Sequence, residues 1–275
     1  MQELTIRETQ EVALEVLKII ADLCDELNCR YFLAYGTLLG AVRHKGFIPW
    51  DDDVDIMMPR PDYERLLLYF KEHADEYPHI RLFNYDECPE YPYMISRFSD
   101  NRYKLVVDNE KPYGMGVFID VYPLDGLGND YKLAVKRAKK ADFLSTCCFQ
   151  ATRMYYSTEI NTSGHKLIKN ILKIPVFIFS KIMGKDYFQR KLKSIKYDEY
   201  DTSDYVGCGV WIVGGDEDVF PRSMFTELID NDFEDYSFKI PKEYDAVLKK
   251  VFCDYMKLPP EKDRVGHHHY RTYRL

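Results

Sequence analysis

The run Asp51-Asp52-Asp53-Val54-Asp55-Ile56 places four carboxylates in five positions and then turns apolar. On a strand successive side chains alternate between faces. Asp53 and Asp55, joined by Asp51 if the strand begins that early, would share one face, with Val54 and Ile56 toward a core and Asp52 facing away. Carboxylates held this close raise each other's pKa unless a cation neutralises them. Hard oxygen ligands select magnesium, with manganese as the alternative, and magnesium completes its shell with water and substrate phosphate. The chemistry indicated is phosphoryl or nucleotidyl transfer. A solvated acidic turn is the plain alternative, and the interleaved apolar residues count against it. The run also lacks the spacing of an EF-hand calcium loop.

Such a site wants a third carboxylate, to hold the metal or to take the proton of an attacking hydroxyl. Asp120, isolated within VFIDVY, is the candidate, since an acid among apolar strand residues needs a charge partner. A hydrogen bond to a buried amide or an arginine is the structural alternative for it, and Asp125 in LDG reads as a turn residue. Upstream, Gly36 and Thr37 follow a short apolar segment. The glycine permits close backbone approach and the threonine supplies a hydroxyl for a phosphate oxygen. Arg43, His44 and Lys45 lie between this pair and the acids, where they could meet phosphate charge. Arg97 has the same standing, with Asp100 as its alternative partner.

These residues need elements to position them. Thr5 and Glu8 form a capping box for a helix running to about Leu27, with Ala13, Leu17, Ile20 and Cys24 on its apolar face. Residues 31–35 read as a buried strand that breaks at Gly36, and a brief helical coil follows. Pro61, Asp62 and Glu64 open a helix that should back the acidic strand. Further strands are expected at 80–83, 93–98, 104–107 and 117–122. From 130 to 196 the pattern is helical, interrupted at Pro175, and a last helix is expected over 242–256. Glycines 207, 209, 214 and 215 form a patch between. The fold class is α/β of the α+β kind: a mixed β-sheet core flanked by helices, with a mainly helical cap. The division expected is a core of 1–129, a cap of 130–205 and a C-terminal segment of 206–275 completing the core and the site.

Composition narrows the functions. Thirty-eight Lys and Arg against 45 Asp and Glu leave a net charge of −7, which disfavours a surface tracking nucleic acid polymers. The polar start MQELTIRETQ reads as no targeting segment, and no run of 18 apolar residues suggests a membrane span, so a cytoplasmic location is expected. Seven cysteines without a CxxC pair fit free thiols. Lys166, Lys169, Lys173, Lys181 and Lys185 flank the apolar run IPVFIF, which allows peripheral contact with the inner face of a membrane; a cap helix with snorkelling lysines is the alternative.

The stretch GTLLGAVRHKGFIPWDDDVDI resembles the signature of the LicD family, whose eukaryotic relatives include fukutin-related protein. The resemblance continues through FIDVYPLDG and into PKEYDAVLKKVFCDYMKLPPEKDRVGHH, leaving out roughly residues 130–205. It implies a nucleotidyltransferase-like fold and transfer of phosphocholine from CDP-choline to a sugar hydroxyl of a teichoic acid or lipopolysaccharide precursor, with CMP leaving. Relatives that move other phospho-alcohols make another CDP-alcohol or nucleotide donor the alternative, and a binding protein without turnover is the rival of a different class. Carried over residue by residue, Asp53 and Asp55 would bind magnesium, Asp120 would complete the site or act as base, and Thr37 would touch phosphate. The resemblance also draws Arg264, His267 and His268 toward substrate phosphate or metal. Choline's quaternary ammonium calls for aromatic walls, with Trp50, Tyr93, Tyr122 and Trp211 as candidates.

Overall fold

The capping box does what its spacing predicts. In the computed structural model the Glu8 N–H donates to Thr5 Oγ1 (3.2 Å) while the Thr5 N–H donates to the Glu8 carboxylate (2.8 Å), opening helix α1, Ile6–Glu26. The structure describes residues 1–156, 164–211, 218–266 and 270–275, with 164–172 described only as helical backbone. His267, His268, Gly214 and Gly215 lie outside the described residues. Strand β1 is Gln2–Glu3, and after α1 come β2 (Phe32–Leu33), α2 (Tyr35–Arg43), β3 (Asp55–Pro59) and α3 (Arg60–Glu72). Strands β4 (Ile80–Phe83), β5 (Ser96–Asp100), β6 (Tyr103–Val107) and β7 (Val117–Gly128) follow, then helices α4 (Tyr131–Thr152), α5 (Gly164–Met183) and α6 (Lys185–Lys193). The chain ends with β8 (Tyr205–Gly207), β9 (Phe220–Pro221), the hairpin β10 (Leu228–Phe233) and β11 (Tyr236–Pro241), α7 (Tyr244–Phe252) and β12 (Tyr270–Arg274).

The main sheet has the order β2-β3-β7-β5-β4, with β8 and β9 extending from the far end of β7. Its centre is the parallel pair β3 and β7, in which Asp55 stands opposite Asp120 and Pro59 opposite Leu124. Every residue of both strands is buried. A parallel pair covered on both faces has no polar side, so the alternation read in the acidic run does not extend into it. Only Asp55 belongs to the strand; Asp51 to Asp53 lie in the preceding loop. Helix α1 lays Leu17, Ile20, Ala21 and Cys24 into the core, where a fully buried aliphatic side chain contributes about 1.5–3 kcal/mol.

Three segments depart from the pattern read in the sequence. The strand expected over 31–35 is only Phe32–Leu33, and α2 begins at Tyr35, so Gly36 and Thr37 occupy the first helical turn. Helix α5 runs through Pro175 without interruption, because Val176 and Met183 beyond it pack on Cys147, Cys148 and Phe188 of α4 and α6. The last helix is shorter than expected, Tyr244–Phe252. The hairpin of β10 and β11 and the small sheet β1-β12-β6 have no counterpart in the sequence reading.

Candidate active site

Asp55 is fixed by its backbone before its side chain does anything. Its N–H donates to Thr37 Oγ1 (2.8 Å) and its carbonyl accepts from the Ala34 N–H (2.9 Å), while the Asp120 N–H donates to the Val54 carbonyl (2.7 Å). The first turn of α2, the start of β3 and the middle of β7 are thereby locked together. Thr37 therefore binds the acidic strand directly; a hydroxyl that accepts one hydrogen bond retains its proton for a second. Gly36 permits a close approach, and the group approaching is Asp51: a Cβ at position 36 would stand 2.6 Å from Asp51 Oδ2.

The side chain of Asp55 is buried, and its Oδ1 has no hydrogen-bond partner among the described residues. Burial raises its pKa well above the usual carboxylate range, and the charges of Asp53, Asp120 and Asp51 push it further, against a smaller opposing effect of Arg97. A buried carboxylate oxygen without a donor, beside three more carboxylates, suits a divalent cation. Asp51, Asp52 and Asp53 also each offer an oxygen within 4.8 Å of the others. Asp52, expected to face away, belongs to this group in the structure, because the loop backbone does not follow a pleat. It borders a different cavity, of about 620 Å³, alongside Gly266 and Tyr270.

Asp120 has the arginine partner that was its structural alternative, and it also stands against Asp55. Arg97 Nε donates to Asp120 Oδ1 at 2.6 Å, and the guanidinium lies 4.1 Å from the Phe118 ring centre and 4.3 Å from that of Tyr93. Asp100, the partner considered for Arg97, is held by Arg102 instead. Asp125 is no turn residue: it lies buried in β7 and accepts from Arg60 Nε (2.7 Å), Arg60 Nη2 (2.8 Å) and the Gly209 N–H (3.0 Å). The signal for it was available, since Arg60 directly follows the strand that pairs with β7.

Asp51, Asp53 and Asp55 open on a cavity of about 860 Å³ whose walls include Tyr35, Trp50, Tyr122, Trp211 and Asp218 and, from the C-terminal segment, Phe252 and Tyr255. Of the four expected aromatic walls three line it. Tyr93 does not: its hydroxyl donates to Glu110 and its ring packs in the core. Tyr35 was missed. Its backbone φ of 43° is in the left-handed region, which costs a residue with a Cβ roughly 1–2 kcal/mol, and its ring meets Tyr122 edge-on at 5.4 Å. The Tyr35 hydroxyl donates to buried Asp218 (3.3 Å). Arg43 lines the same cavity and donates from Nη1 to the Tyr255 carbonyl (2.6 Å). His44 is half-buried against the edge of Trp50, with its pKa lowered by burial and by Arg43. Arg264 lies over the Trp50 ring at 5.6 Å.

The molecule so described is an α+β protein with an acidic centre at one end of its central parallel strand pair, opening on an aromatic cavity. The chain belongs to the LicD family. The family described as LicD/FKTN/FKRP, nucleotidyltransferase domain, matches residues 28–124, a stretch holding Gly36, Thr37, the acidic loop, Asp55, Arg97 and Asp120. Lipopolysaccharide cholinephosphotransferase LicD of Haemophilus influenzae is 32% identical over 277 residues, covering 100% of both chains. An uncharacterized protein of Rickettsia typhi is 33% identical over 135 residues, 42% of this chain and 43% of its own, and one of Rickettsia prowazekii is 46% identical over 48 residues, 18% of each.

Proposed function

We propose that the protein is a transferase that moves phosphocholine from CDP-choline to a sugar hydroxyl of a cell-envelope glycan and releases CMP. The observation that carries this reading is the buried Asp55 beside Asp120, with an unpartnered carboxylate oxygen, at the floor of a cavity walled by aromatic rings. The relationship over the full chain to a protein named as a lipopolysaccharide cholinephosphotransferase supports the substrate class. The nucleotidyltransferase-like character of the core, a teichoic acid or lipopolysaccharide precursor as acceptor, and action at the cytoplasmic face of the membrane belong to the same proposal.

Asp53 and Asp55, with Asp120 completing the set, would hold a magnesium ion, which when bound neutralises charge on the transferred phosphoryl group. Arg97 keeps the Asp120 carboxylate in place from behind. Thr37 fixes Asp55, and its hydroxyl proton can go to a phosphate oxygen. Arg43 lines the cavity, where it can meet the donor's phosphates, and His44 stands next to it against Trp50. The rings of Tyr35, Tyr122 and Trp211 offer π-faces to a quaternary ammonium, and Asp218 adds an attractive charge behind Tyr35. The acceptor hydroxyl attacks the choline-bearing phosphorus in line as the bond to the CMP oxygen breaks, its proton passing to a carboxylate of the site, for which Asp120 is the candidate.

Calorimetric binding of CDP-choline, CDP-ethanolamine, CDP-glycerol and CDP-ribitol, with and without magnesium, tests this on wild type and Asp53→Asn. Magnesium-dependent binding of CDP-choline alone, lost in the variant, is the expected result. Preference for another CDP-alcohol would change the donor and keep the chemistry, and binding of none would overturn the reading.

A further inference from the structure

Charge is segregated along this chain. Residues 130–196 carry 15 Lys and Arg against 4 Asp and Glu, a formal +11, in a chain whose total is −7, so the remainder carries −18. Within this basic segment α5 is apolar on two faces. One face packs: Val176 and Met183 meet the cluster of Cys147, Cys148 and Phe188. The other is open. Ile174, Ile178 and Ile182 follow at intervals of four residues and are 37%, 52% and 76% exposed, whereas Phe179 sets its ring edge-on against Phe188 of the packed side. A helix that is apolar on a second face normally has a second apolar surface against it. Among the described residues nothing covers this one, and no described helix is long and apolar enough to cross a membrane.

We infer that this face of α5 docks on an anionic phospholipid bilayer, lying in the interface rather than spanning it. The isoleucine side chains enter the acyl boundary while exposed Lys173 of the same helix, within the basic segment, meets the headgroups. Charge favours this occupant over a second copy of the chain: Arg137, Arg153 and Lys193 are paired with acids outside the segment, Asp198, Glu110 and Asp86, but the segment stays net positive, so two copies joined here would bring like charges together. The position suits a surface enzyme. Lys181 Nζ donates to the carbonyls of Ala151 and Arg153 at the end of α4, and Phe149 of α4 touches Trp211 in the wall of the acidic cavity. The docking face is thus one helix removed from the site, and the inference stands on the surface alone, whichever donor the cavity takes.

Sedimentation of the full chain with vesicles tests it, comparing phosphatidylcholine alone with phosphatidylcholine containing phosphatidylglycerol. Wild type is expected to bind the phosphatidylglycerol vesicles, less so as salt rises. Ile178→Glu with Ile182→Glu is expected to weaken binding by roughly tenfold or more, and Lys173→Glu by a smaller factor. Both variants alter exposed side chains, and unchanged melting temperatures and CDP-choline affinity would show that fold and cavity are intact. Wild type that stays in solution with phosphatidylglycerol vesicles overturns the inference. So does a double variant that binds as wild type, or a wild-type dimer that the double substitution splits. Wild type that binds the phosphatidylglycerol vesicles but no donor would count against the transferase reading alone.

Discussion

Strands β3 and β7 bury an acid at each end of their shared length, Asp55 at one and Asp125 at the other. Asp125 is compensated by a two-point guanidinium contact from Arg60 and a backbone N–H from Gly209, the pairing that makes a buried charge tolerable. Asp55 lies among Asp51, Asp53 and Asp120 with its Oδ1 unpartnered among the described residues, and the guanidinium whose charge opposes theirs, that of Arg97, is bonded to Asp120. One pair of strands therefore shows both treatments. Where the acid is structural, the chain supplies its own cation; at Asp55, which we propose serves chemistry, the described residues supply none, and on that proposal a ligand would complete the site.

Substitutions at the two ends should then fail in opposite ways. The largest effect is expected from Asp55→Asn and Asp53→Asn, which should lower turnover about a thousandfold with the circular dichroism spectrum unchanged. Asp55→Asn should at the same time gain stability in chelator. The folded state raises the pKa of Asp55, so it binds the proton more tightly than the unfolded chain does. Wild-type stability therefore falls as pH rises from about 4 toward the raised value. The asparagine variant lacks that fall. It should melt above wild type at neutral pH and level with it below about pH 4. Added magnesium should raise the melting temperature of wild type alone. Asp125→Asn should instead cost about 3 kcal/mol in denaturant unfolding by leaving Arg60 unpaired, and Arg60→Met with Asp125→Leu should recover most of it. If Asp55→Asn destabilised as Asp125→Asn does, the contrast between the ends would be lost.

Residues 51–55 and Asp120 were legible because acids in apolar surroundings are unusual, whatever backbone carries them. Their arrangement was legible in part. The period-two reading grouped Asp51 and Asp53 with Asp55 and turned Asp52 away, and the three do open on one cavity with Asp52 on another, but a loop rather than a strand carries residues 51–53 and brings an oxygen of Asp52 within 4.8 Å of its two neighbours. Helices α1 and α3 were readable from local signals, a capping box and a proline in the first turn. Tyr35 and Asp218 were not, since nothing local marks two residues 183 apart as partners across a cavity. The Arg60–Asp125 pair was not legible either: Asp125 read as a turn residue, and pairing it with Arg60 required the register of β3 on β7.

Two smaller changes sharpen the comparison at the acidic end. Gly36→Ala places a Cβ 2.6 Å from Asp51 Oδ2, so the carboxylate must move, and turnover should drop about tenfold. Stability should not fall with it, because alanine favours the helical turn by up to about 1 kcal/mol.

The smallest effect belongs to Thr37. Its Oγ1 is the acceptor for the Asp55 N–H, so Thr37→Val strands a buried donor and should cost about 1–3 kcal/mol, read from denaturant unfolding. Thr37→Ser keeps the acceptor and removes only a buried methyl, a loss of about 0.8 kcal/mol, and should retain nearly full turnover. The pair separates the clamp from any contact with substrate. If the hydroxyl only holds Asp55, the valine variant loses stability and kcat while KM for the donor stays. If its proton also reaches a phosphate oxygen, KM rises in the valine variant and not in the serine one. Equal losses in both would mean that the methyl's packing, rather than the bond to Asp55, is what position 37 contributes.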